Sequence, residues 1–103
     1  MNAEEVQTRL RAHGEEFETK NRLLANEVYQ NYVVPLCKEH NLRLVCRFGD
    51  SYFTRTDATG LVTYDDPYDD GYPEDVTEVL RMLNAVVAAS ARLGDYMEGF
   101  CDE

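Results

Sequence analysis

A chain of 103 residues with 20 acidic and 10 basic side chains has room for one domain around one core, and its formal charge of -10 sets it against phosphate backbones and anionic membranes. A hydrophobic fraction of 44% with 29% charged residues is ordinary for a globular protein, which argues against bulk disorder, and no apolar run approaches the ~20 residues of a membrane span. The acidic start Met1-Asn2-Ala3-Glu4-Glu5 is unlike a secretory signal, and Cys37, Cys46 and Cys101 contain no C-x-x-C pair, so reduced thiols in a cytoplasmic protein are expected.

The first element is a helix. Asn2 and Glu5 have capping-box spacing, each side chain able to satisfy a free donor at a helix start. Val6, Leu10, Phe17, Leu24, Val28, Tyr32 and Leu36 then recur at spacings that keep them on one stripe. Gly14 weakens the run, and Pro35 removes a hydrogen bond and presses on the carbonyl of Asn31, which predicts a kink near residues 31 to 34. The helix is expected over about 2–40, ending at Asn41, where Asn tolerates a left-handed cap, Lys38 and His40 suit the negative helix end, and Leu42 folds back as the apolar contact.

From Leu42 the period changes to two. Leu42, Leu44, Cys46 and Phe48 share one face and Arg43, Val45 and Arg47 the other, which reads as a half-buried strand over about 42–48. Gly49-Asp50 fits a two-residue hairpin turn that would pair Phe48 with Ser51, Arg47 with Tyr52 and Cys46 with Phe53. A second strand is expected over 51–56, a turn at Asp57-Ala58-Thr59-Gly60, and a third strand over 61–64.

Residues 65–72 read as an acidic loop, since proline, glycine and mutual repulsion oppose regular structure there. Pro73, followed by Glu74 and Asp75, starts a last helix over about 73–93, with Val76, Val79, Leu80, Leu83, Val86, Val87 and Ala91 on its apolar face. Weakening at Leu93-Gly94 would leave a frayed or separately docked tail over 94–103. The expected fold is a single α+β domain: a long N-terminal helix, a three-stranded antiparallel meander and a long C-terminal helix, the helices on one face of the sheet. An unbroken helix over 2–40 would be ~58 Å long. Since a compact domain of this size is only ~30 Å across, either the first part folds back at Gly14 or the Val6, Leu10 and Phe17 stripe is covered by a second copy in a homodimer.

Charge is distributed unevenly. Residues 1–47 hold seven acids and seven bases, whereas residues 48–103 hold 13 acids against Arg55, Arg81 and Arg92 alone. Asp65, Asp66, Asp69, Asp70, Glu74, Asp75 and Glu78 lie in a stretch without a base, interleaved with Tyr64, Tyr68 and Tyr72. Tyrosine offers contact area at small entropic cost, and arginine stacks on its ring while pairing with a neighbouring carboxylate. These ten residues are the candidate surface for a basic protein partner; the alternative is a solvated loop that serves only solubility.

Other chemistries find less support. Counted from Asp66, an EF-hand register puts Tyr68 and Thr77 where carboxylates are required. Cys37, His40 and Cys46 lack a fourth zinc ligand, and Cys37 with His40 as nucleophile and base lacks an orienting acid. Arg43, Arg47 and Tyr52 on the polar sheet face, with Arg55 near its edge, are read as cross-strand pairs rather than as a phosphate site. No G-x-G-x-x-G, P-loop, G-x-S-x-G or H-E-x-x-H pattern occurs, so neither enzymatic activity, cofactor, metal nor direct nucleic-acid binding is expected. In size, acidity and lack of catalytic motifs the chain resembles, in character rather than by any motif, the small inhibitors that phages and other mobile elements use against host nucleases, including anti-CRISPR proteins. That likeness implies an acidic surface occupying a basic, nucleic-acid-binding surface of a partner, with a homodimeric structural or regulatory module as the alternative.

Overall fold

The computed structural model describes residues 1–13, 18–47, 50–57, 60–89 and 91–100. Its elements are helices α1 (Ala3–His13) and α2 (Glu18–Val28), a π-helical turn (Tyr29–Val33), α3 (Val34–His40), strands β1 (Arg43–Arg47), β2 (Asp50–Asp57) and β3 (Gly60–Tyr64), and helices α4 (Glu74–Ala89) and α5 (Ala91–Glu98). The fold is α+β, with a three-stranded antiparallel sheet in the order β1-β2-β3.

The N-terminal stripe does not form one rod. α1 packs against α4 and α2, which buries Val6 completely and Leu10 to 9% exposure inside a single chain. The cause is the length conflict: residues on a ~58 Å rod could not all reach one core, and the molecule measures 47 Å in its longest dimension. Gly14, where a break was expected, lies outside the described residues. Asn2 caps α1 as its spacing predicts, its Oδ1 accepting the Glu5 amide at 2.9 Å.

The kink before Pro35 takes the form of the π-helical turn, in which the Val34 amide reaches back five residues to the Tyr29 carbonyl. Proline brings no N–H to continue the α-helical ladder and crowds the carbonyl four residues back, and a widened turn relieves both. α3 ends on Asn41 at φ 56°. The Leu42 amide bonds the Cys37 carbonyl at 2.9 Å and Leu42 is buried, a Schellman ending with its apolar contact.

In the sheet, Arg47 pairs with Asp50, Val45 with Tyr52 and Leu44 with Phe53, a register two residues from the expected one. Asp50 is therefore a strand residue rather than part of the turn. Because the slip is even, every side chain keeps its face. Leu44 and Phe53 still enter the core, and α4 packs on β2 there. Arg55, two residues beyond Phe53, alternates to this same face, away from Arg43 and Tyr52 on the other. Gly60 pairs with Asp57 at φ +127°, a conformation that glycine adopts without steric cost.

α4 buries Val76, Leu80 and Leu83 completely, and each such side chain contributes on the order of 1.5–3 kcal/mol. The described part of α4 runs to Ala89, residue 90 lies outside the described residues, and α5 carries the chain on as helix through the Leu93-Gly94 segment expected to weaken. Leu93 and Met97 are buried, and the ring of Phe100 stacks on Tyr29 at 4.4 Å. The apolar spacing 93, 97, 100 docks this segment against α2 and α4. Among the described residues no helix is long and apolar enough to cross a membrane.

Candidate functional site

The acidic tract hangs between the end of β3 and the start of α4. Tyr64, the last residue of β3, is 8% exposed and belongs to the core. Tyr72 meets it edge to face at 5.0 Å, tying the far end of the loop back to the sheet. The Tyr72 hydroxyl lies 3.1 Å from Asp65 Oδ1 and 3.3 Å from the Thr63 carbonyl oxygen, two acceptors for one hydrogen. Partial burial, the bond to Asp65 and the negative charges of Asp65 and Asp69 all hold this phenol above its ordinary pKa, against a smaller opposing backbone contribution at Asp65.

Between these anchors the chain makes two successive turns, each started by an aspartate. Asp66 Oδ1 accepts the Tyr68 amide at 2.9 Å and Asp69 Oδ1 accepts the Gly71 amide at 2.7 Å. The Asp66 and Asp69 carbonyls close the same turns onto the amides of Asp69 and Tyr72. A short side-chain acceptor that bonds a backbone donor two residues on is the reason aspartate initiates turns, so half of the acidic character here is turn chemistry. A Cβ on Gly71 would come within 3.1 Å of Asp69 Oδ1, which favours glycine at that position.

The ten residues singled out by the sequence divide into two groups. Glu78 serves the fold: its Oε1 accepts the Ala3 amide at 2.7 Å, satisfying a free donor at the start of α1, and its Oε2 lies 3.4 Å from Arg81 Nη1. Asp75 accepts the Val76 amide at 2.9 Å and stands 2.7 Å from His40 Nε2. Burial works to raise its pKa, but the hydrogen bond and charge of His40, with backbone donors, outweigh that and hold the carboxyl below its ordinary value. Tyr64 and Tyr72 are anchors. That leaves Asp66, Asp69, Asp70 and Glu74 as exposed carboxylates, with Asp65 engaged by Tyr72. Among the described residues none of these five carboxylates stands within ion-pair distance of a cationic side chain. Tyr68 is 76% exposed, and the Arg81 guanidinium lies 5.4 Å from its ring centre.

Arg81 is the site residue that sequence reasoning missed. The signal was available, since Glu78 and Arg81 stand three apart on a helix and face the same way. Arg92 lies elsewhere, in an open groove on α2 and α5 with Arg22, Asp95 and Tyr96. On the sheet, Arg43 is exposed and Arg55 half-buried; the side chains of Arg47 and Cys46 lie outside the described residues. Val6 and Leu10, the expected dimer stripe, are spent inside the protomer against α4, and Phe17 lies outside the described residues. Cys37 lines an open cleft of about 330 Å³ between α3 and β1 with Val33, Lys38 and Leu44, while the His40 imidazole is turned to Asp75.

Comparison with protein-family models, with curated proteins and with solved structures finds no match to this chain.

Proposed function

We propose that this protein is a non-enzymatic inhibitor that lays its acidic loop on a basic surface of a protein partner, a surface that ordinarily holds nucleic acid. The observation that supports the reading is the group Asp66, Asp69, Asp70 and Glu74, exposed along one anchored loop with no cationic side chain within ion-pair distance of them among the described residues, around an exposed tyrosine that Arg81 meets on one side. Carboxylates set along such a loop stand in for phosphates, and a partner's arginine takes the free side of Tyr68 as Arg81 takes the other. In this reading the helices all lie on the Phe53 face of the sheet and the loop projects from its end. The protein acts in the cytoplasm, in the manner of the anti-CRISPR and other anti-defence inhibitors of phages and mobile elements.

The test is affinity capture from the native host followed by reconstitution with the purified partner. The expected partner loses its nucleic acid when the inhibitor is added, and the complex weakens steeply as salt rises from about 50 to about 500 mM. A variant with Asp66, Asp69 and Asp70 changed to Asn and Glu74 to Gln should lose binding while keeping its unfolding midpoint, because Asn retains the oxygen that makes each turn. A partner that keeps its nucleic acid, or a variant that binds undiminished, would overturn the proposal.

A further inference from the structure

We propose that Glu39, His40 and Asp75 form a binding site for one divalent ion of the zinc class, clamping the end of α3 to the start of α4. Among the described residues these three bring one ligand atom each to within 4.8 Å of one another, although Asp75 is 35 positions from His40 in sequence. They arrive from two elements that the fold fixes independently. His40 is the last residue of α3, held by the Asn41 ending, and Asp75 stands in the first turn of α4.

The donor set selects the metal. One imidazole nitrogen with two carboxylates suits zinc and its first-row neighbours, whereas calcium requires about six to eight oxygen ligands and magnesium, a hard cation, disfavours an imidazole nitrogen in its oxygen shell. His40 already directs Nε2 at Asp75 Oδ2 across 2.7 Å, with its side chain 25% exposed, so the ring is oriented for coordination rather than dispersed in solvent. Donors at about 2.0–2.2 Å from a tetrahedral zinc stand about 3.3–3.6 Å apart. The pair, now at 2.7 Å, therefore needs to open by about 0.6–0.9 Å, replacing a shared proton with the metal. Glu39, on the exposed last turn of α3, has the rotamer freedom to close the third edge.

Electrostatics favours the cation. The negative end of α3 and the positive end of α4 carry about half a charge each and nearly cancel, so the two carboxylates decide the local sign. The neighbouring tract adds exposed carboxylates at Asp70 and Glu74, which concentrates cations at this corner of the molecule. Bound there, the ion ties the helical N-terminal half to the base of the acidic loop.

Zinc alone, titrated into the full-length reduced protein, is the probe, with binding followed by calorimetry and by the ring resonances of His40 against those of His13. One equivalent should bind and shift the His40 ring, magnesium and calcium should not reproduce it, and E39Q should weaken binding by at least tenfold, since losing an outer-shell partner alone costs about 10–100-fold. E39Q is the decisive variant because it leaves the His40–Asp75 pair intact, whereas H40N also removes an interhelical bond. Zinc that binds without moving the His40 ring, or equally well to E39Q, belongs to the cysteines or to another site and overturns the proposal. So does an absence of saturation by about 1 mM zinc, the weak end of specific affinity.

Discussion

Glu78 and Glu74 sit four residues apart on the same helix, and the structure gives them opposite employment, so a pair of substitutions separates architecture from surface. In E78A the Ala3 amide loses an acceptor 2.7 Å away. A hydrogen bond to a charged group contributes ~1.5–3 kcal/mol when desolvated. The Glu78 side chain is 36% exposed, so water replaces part of it, and about half of that range is the reasonable expectation. The 3.4 Å contact with Arg81 is a surface pair and adds no more than ~0.5 kcal/mol. E78A should therefore cost about 1–2 kcal/mol, or roughly 5–10 °C in Tm for a domain of this size. E74Q removes a charge that makes no hydrogen bond or ion pair among the described residues and should stay within ~0.5 kcal/mol of the parent. Urea unfolding followed by far-ultraviolet circular dichroism measures both. Equal stability of E78A and parent, or equal losses in the two variants, would show that α1 is not held to α4 through this carboxylate and would refute the division of the tract.

Two further outcomes are expected. Because the Asp75 carboxyl is held below its ordinary pKa in the folded state, its contribution is present above the unfolded value and is lost as pH falls through the folded one. The stability difference between parent and D75N should accordingly hold down to the ordinary aspartate value of about 3.9 and be lost as pH falls further, and a difference that persists undiminished in strong acid would place the effect of D75N outside this ionisation. Met97 is 1% exposed on α5, so M97A should cost about 2–3 kcal/mol and abolish amide-exchange protection along 91–98, whereas a merely frayed tail would leave both unchanged.

Local chemistry carried the parts of the fold that sequence made legible. The Asn2 cap, the π turn ahead of Pro35, the left-handed Asn41 and the glycine at the β2–β3 turn each depend on a few neighbouring residues whose stereochemistry admits one solution. The misread features depend on partners distant in sequence. A hairpin register that slips by two leaves every face unchanged, so hydrophobic alternation could not distinguish Phe48–Ser51 from Arg47–Asp50 pairing. Of the frayed and the separately docked tail that Leu93-Gly94 allows, the structure has the docked one, a choice decided by the burial that α2 and α4 supply to Leu93 and Met97. At the site, composition identified the loop and its charge, yet it could not assign Glu78 to the start of α1 or Asp75 to His40, since those partners lie 75 and 35 positions away.

The loop's anchoring bears on why its charge is tolerated. Four carboxylates spaced a Debye length, ~10 Å, from one another would repel by ~0.4 kcal/mol per pair in water before screening, or about 1 kcal/mol in all once salt is present. Two turn hydrogen bonds contribute ~0.5–1.5 kcal/mol each, and an edge-to-face ring pair adds ~0.5–1.5 kcal/mol. The bonds from Asp66 and Asp69 and the Tyr64–Tyr72 contact exceed a repulsion of that size, so the loop keeps its shape without an ion pair to its exposed carboxylates among the described residues. A flexible acidic tail would spread to relieve the same repulsion and would lose that freedom on meeting a cationic surface. This loop has already lost it in the fold, so neutralisation by a partner returns the repulsion energy with little ordering cost. Loosening the anchors should then weaken binding without removing a single charge, and Y72F, which keeps the ring contact and deletes the bond to Asp65, is the substitution that isolates this effect.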